Sequence, residues 1–136
     1  MYYLVMDYEI ERQEAIEAGE RALYSLKEAH EQLRKARNWG IYDIIGGGFL
    51  SSLIKHSKID NARSCIDRAK YDLQVFNREL RDVSMCLDFD IGDFLTFFDL
   101  MDSFFADIMV QSRIADASRK VEDAIYRVED ILRRLR

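Results

Sequence analysis

The sequence predicts an all-α protein. It reads as an elongated antiparallel helical bundle of three long heptad-patterned helices, with one or two short aromatic-rich helical segments. Three observations predict this. The 136 residues contain no Pro, whereas a β-rich or loop-rich chain normally uses some. Apolar residues recur three and four apart through three separate stretches, the spacing of one helix face. Charged residues make up 33% and apolar residues 49%, which supplies both solvated outer faces and a sizeable core. A chain of this length is expected to form one domain over residues 1–136.

The first helix is expected from about Tyr8 to Asn38. Ile16, Gly19, Leu23, Leu26 and Leu33 form its seam. Beside them runs a stripe of small residues, Ala15, Gly19, Ala22, Ala29 and Ala36, which allows a neighbouring helix to approach closely. His30 falls at a seam-like position and reads as an edge packing residue. Asn38-Trp39-Gly40 ends the helix, since Asn and Gly tolerate the left-handed cap conformation.

The stretch Asn38 to Leu50 holds the only Trp and four of the six Gly. Gly46-Gly47-Gly48 disfavour a helix interior by about 1 kcal/mol each against Ala and suit a tight turn. A helix restarts near Phe49, or as a separate element near Lys58, and runs to Val83. Its seam is Ile59, Ala62, Ile66, Ala69, Leu73, Phe76, Leu80 and Val83. Ser57-Lys58-Ile59-Asp60 offers a capping box, with Ser57 as the cap. Leu87 to Asp93 reads as a connection, with Asp90 as an N-cap. Phe94 to Met109 is apolar on most sides and is expected to pack deeply. The last helix carries the seam Ile114, Ala117, Val121, Ala124, Val128, Ile131 and Leu135.

A 55-residue shift superposes part of the chain on itself. Phe49, Ser57, Ile59, Ala62, Ala69 and Tyr71 meet Phe104, Ser112, Ile114, Ala117, Ala124 and Tyr126. An internal repeat over 41–84 and 96–136 would explain this, and so would two helices sharing one heptad phase.

Composition narrows the function classes. The net charge of −5 opposes general nucleic-acid binding, which needs clustered Lys and Arg. Arg133-Arg134-Leu135-Arg136 is basic and suits the negative end of a helix dipole. Cys65 and Cys86 are too few and too far apart for a disulfide framework or a zinc site, and both read as reduced core residues. Met1 to Asp7 has no basic region and too short an apolar run for a signal peptide. No stretch reads as a membrane span: Asp90, Asp93, Asp99, Asp102 and Asp107 interrupt the richest apolar run. A cytoplasmic protein is expected.

Trp39-Gly40-x-x-Asp43-x-x-Gly46-Gly47-Gly48, followed by Lys55-His56-Ser57-Lys58-Ile59-Asp60, resembles a pattern of small, functionally uncharacterised bacterial all-helical proteins. The resemblance extends over most of the chain, including Gly92-Asp93-Phe94. It implies an all-helical fold and a bacterial cytoplasmic origin, and it carries no activity or cofactor.

Trp39, Asp43, Gly46, Gly47, Gly48, Lys55 and His56 are therefore the candidate residues for binding a ligand or partner. A glycine-rich backbone entering a helix N-terminus presents N–H groups to an anion, with Ser51, Ser52 and Lys55 to assist. The Gly-Lys-Ser/Thr ending of a P-loop is missing, however, and a tight turn under Trp39 explains the glycines as well. Asp88, Asp90, Asp93, Asp99 and Asp102 are weak metal candidates; Asp99 and Asp102 share a helix face, but calcium-loop and di-iron spacings are absent. No nucleophile–base or paired-acid constellation is legible, since Lys55, His56 and Ser57 are adjacent and point apart. The sequence thus favours a non-enzymatic bundle without a cofactor, working through an unidentified protein partner or as a homodimer. The alternative is a small-ligand or anion-binding bundle using the Trp39–Gly48 turn with Lys55 and His56.

Overall fold

The computed structural model describes residues 2–38, 53–86 and 113–136. These form three helices: α1 (Tyr2–Asn38), α2 (Leu53–Cys86) and α3 (Ile114–Leu135). No strand occurs among the described residues, so the all-α reading holds at that level.

Helix α1 begins earlier than the expected Tyr8, because Tyr2 to Asp7 are helical as well. The run Tyr2-Tyr3-Leu4-Val5-Met6 has no polar periodicity to reveal a helix. It still contains neither Gly nor Pro, so nothing stops the helix from extending through it. Helix α2 begins at Leu53, which corrects two expectations. It starts neither at Lys58 nor with Ser57 as its cap: Ser57 lies inside the helix. With no Gly or Pro between Leu53 and Cys86, continuous helical bonding overrides the local Ser-x-x-Asp signature. Helix α3 starts after Arg113, whose backbone is extended and whose side chain makes no capping bond. Its first turn is closed by Ala117 N–H donating to Arg113 O at 2.9 Å.

The apolar seams become one core. Ala62, Ile66, Ala69, Leu73, Phe76, Leu80 and Val83 of α2 are buried, as are Ile114, Ala117, Val121, Ala124, Val128, Ile131, Leu132 and Leu135 of α3. From α1 come Ile16, Leu26 and Leu33, together with Ala15, Ala18, Ala22, Ala29 and Ala36. Leu23 is only partly buried, packed against the rim of this cluster.

Among the described helices, α1 packs on both α2 and α3, while α2 and α3 make no close backbone contact with each other. The small residues of α1 explain why it takes the middle position. A helix with Ala and Gly along its buried face lets neighbouring backbones approach with little side-chain bulk between them. Gly19 marks the tightest point. A Cβ built there would lie 2.7 Å from Leu132 Cδ2 of α3 and 2.9 Å from the Phe76 ring of α2.

Polar contacts fix the register. Ser25, only 3% exposed, donates its hydroxyl to the Asp72 carboxylate across the α1–α2 seam. On the other flank Arg12 Nη1 donates to the Leu135 carbonyl at 3.0 Å, satisfying one of the acceptors a helix leaves open at its C-terminus. Arg136 pairs with Glu20 at 2.7 Å, and His30 Nε2 lies 3.6 Å from a Glu122 carboxylate oxygen. His30 is thus an edge residue. The basic end of α3 does more than face the helix dipole, because Arg133 and Arg134 both pair with Asp130.

Candidate functional site

Of the residues nominated by the sequence, Lys55 and His56 fall in the first turn of α2. Trp39, Asp43, Gly46, Gly47 and Gly48 lie outside the described residues, as do Asp88, Asp90, Asp93, Asp99 and Asp102. The structure brings together a different set.

Three carboxylates meet where the early part of α1 lies against the later part of α2. Glu11 and Glu14 stand three apart on α1, so they share a face. Glu79 of α2 comes up against them, and carboxylate oxygens of all three lie within 4.8 Å of one another. One oxygen of Glu11 and one of Glu79 are shielded from solvent without a hydrogen-bond partner. Burial pushes the Glu11 carboxyl above its ordinary value, and the charges of Glu14, Asp82 and Asp7 add to the shift. Glu79 is raised for the same reasons, burial first, then Glu14, Asp82 and Glu11, with Arg78 opposing. Like charges held together in reduced solvation favour the protonated form. Chemically, the cluster can share a proton, or offer oxygen ligands of the kind hard cations take. Acidic groups this accessible commonly occur without any ion.

Sequence reasoning missed this cluster. Glu11 and Glu14 carry a weak signal in their spacing, but Glu79 joins them only through the register of α2 on α1.

Cys65 is a free, half-buried thiol at the edge of the core rather than within it. Burial pushes its pKa up, Glu28 adds to the rise and Arg68 opposes it. A raised thiol pKa means little thiolate at neutral pH, hence low reactivity.

No protein-family model, no curated protein and no solved structure matches this chain. Function must therefore be argued from surface and site. No helix among the described residues is long and apolar enough to cross a membrane.

The surface offers one repeated feature. Among the described side chains, Tyr24 of α1 is 67% exposed, Tyr71 of α2 64% and Tyr126 of α3 62%. Ile10 is 52% exposed. Beside Tyr126 an open groove of about 320 Å³ runs between α1 and α3, floored by Leu23 and Leu132 and edged by Arg133 and Arg136.

Proposed function

We propose that this chain is a non-enzymatic helical-bundle protein that works through protein–protein contacts, with a second copy of itself as the first partner to test. The exposed tyrosines carry this reading. Tyrosine is enriched in interfaces because its ring contributes apolar area while its hydroxyl remains hydrogen-bonded. The α1–α3 groove beside Tyr126 adds apolar area with a charged edge.

On this reading the helices form an antiparallel, coiled-coil-like bundle. Contact pairs support that arrangement: residue numbers ascending along α1, from Gly19 to Ser25, meet numbers descending along α2, from Phe76 to Asp72. From Arg12 to His30 they likewise meet Leu135 and then Glu122 of α3. We also place the protein in the bacterial cytoplasm, on the resemblance noted above.

Light scattering across a hundredfold range of protein concentration tests the proposal, alongside the triple variant Tyr24→Ser, Tyr71→Ser, Tyr126→Ser. The parent is expected to dimerise, and the variant to be monomeric with a nearly unchanged melting temperature. A parent that stays monomeric throughout and retains no protein partner in a pull-down overturns the reading.

A further inference from the structure

Another groove among the described residues lies between α1 and α2, has a volume of about 400 Å³, and is lined by Arg21, Tyr24, Ser25, Arg68 and Asp72 together with Glu17 and Glu20. Its charges are arranged unusually. Every carboxylate in it is engaged. Glu17 accepts from Gln13 at 3.4 Å, Glu20 pairs with Arg136 at 2.7 Å, and Asp72 accepts from Ser25. Neither Arg21 nor Arg68 enters a hydrogen bond or ion pair among the described residues.

The sequence alone would pair both. Glu17 stands four residues before Arg21, and Asp72 four after Arg68, the spacing that favours helix-surface ion pairs. Helix-surface pairs do form elsewhere, three apart between Arg34 and Glu31 and between Arg119 and Asp116, and four apart between Arg127 and Asp123. Across the seam the buried Ser25 hydroxyl takes Asp72 as its acceptor. Two guanidinium groups, one from each helix, line a single groove.

We propose that this groove binds an oxyanion, the carboxylate or phosphate of a small molecule, between Arg21 and Arg68, with the body of that molecule against the exposed Tyr24 ring. Guanidinium groups present forked N–H donors that match such oxyanions. The lining sets Arg21 and Arg68 against Glu17, Glu20 and Asp72, and Arg136, from outside the groove, pairs with Glu20. Its residues are not those of the Trp39–Gly48 stretch, which the sequence offered as the alternative anion-binding site. It shares Tyr24 with the dimer reading, but the Tyr→Ser triple variant tests that reading by mass, whereas this one is read at Arg21 and Arg68.

The test follows the side-chain Nε–Hε resonances of Arg21 and Arg68 in the full chain while inorganic phosphate or acetate is titrated at fixed ionic strength. Both resonances are expected to move together along one saturating curve. Arg68→Gln, a change at an exposed position, is expected to weaken the midpoint read at Arg21 by about tenfold or more, the loss of one charge-assisted hydrogen bond. Tighter binding of phosphate assigns the site to a phosphoryl group, and tighter binding of acetate to a carboxylate. Shifts that rise linearly and equally at Arg119 report ionic screening alone and overturn the proposal, as does a saturating curve at Arg21 that Arg68→Gln leaves unchanged.

Discussion

Gly19→Ala sets two effects of known sign against each other. Ala is the better helix former by about 1 kcal/mol in a helix interior. At an open position the change should therefore stabilise. At Gly19 the added methyl would stand 2.7 Å from Leu132 Cδ2 and 2.9 Å from two atoms of the Phe76 ring. Carbon atoms rest about 3.5–4.0 Å apart, so each neighbour must retreat by roughly 1 Å. Both neighbours are side-chain tips, which can move more cheaply than backbone. Both are also fully buried, on two different helices, so their retreat disturbs both seams at once. Overpacking of this kind typically costs about 1–3 kcal/mol. The net expectation is a loss of about 1 kcal/mol, read from urea unfolding as a lower midpoint at unchanged slope. In a double-mutant cycle Phe76→Leu, which removes the ring tip, should recover part of the loss, a coupling of about 0.5 kcal/mol or more. If Gly19→Ala stabilised the protein by the full helix-propensity increment, α1 would not be pinched between its neighbours and the packing reasoning would fail.

Other outcomes follow from the same contacts. Ser25→Ala leaves the Asp72 carboxylate without its donor and should cost about 1–2 kcal/mol in the same unfolding measurement. Phe76→Ala opens a cavity at the centre of the core and should cost about 3–5 kcal/mol; a loss below 1 kcal/mol would place Phe76 outside the core. Glu11 and Glu79 bind protons more tightly folded than unfolded, so they contribute stability that is present below the ordinary carboxyl value of 4.5 and lost as pH rises through their raised folded values. Glu79→Gln should accordingly stabilise the protein at pH 7 by about 0.5 kcal/mol for a partly screened repulsion, seen as a higher melting temperature, and flatten the pH dependence of that temperature above 4.5. Glu31, lowered by its bond to Arg34, acts in the opposite sense: its contribution is present above 4.5 and lost as pH falls through its folded value. Glu31→Gln should therefore reduce the stability lost on acidification below 4.5, seen as a shallower acid limb in the same titration.

Much of the core was legible because helix burial is periodic. Each α3 seam position and each described α2 seam position is buried, since one apolar residue every three or four places leaves only one face that avoids water. The helix starts were less legible. Local signatures compete with cooperative helix extension, so Ser57 reads as a cap while the structure continues the helix through it. The site was the least legible part. Glu11, Glu14 and Glu79, or Arg21 and Arg68, mean nothing together until α2 is set at one register on α1. A single hydrogen bond, from Ser25 to Asp72, contributes to that register. Ser25 sits in the apolar face of α1, and nothing in its neighbours in sequence announces its partner 47 residues away.

The middle position of α1 bears on how the molecule comes apart. Among the described helices, α2 and α3 each approach α1 closely along the backbone and do not approach each other in that way. Loosening the centre of α1 therefore removes the support of both at once, whereas loosening α3 leaves the α1–α2 seam in place. Opening is then graded in one direction and all-or-none in the other. Amide protons near Ala22, Leu26 and Ala29 should exchange only with global unfolding, the slowest among the described helices, and those of α3 should exchange sooner through a partial opening that spares α2.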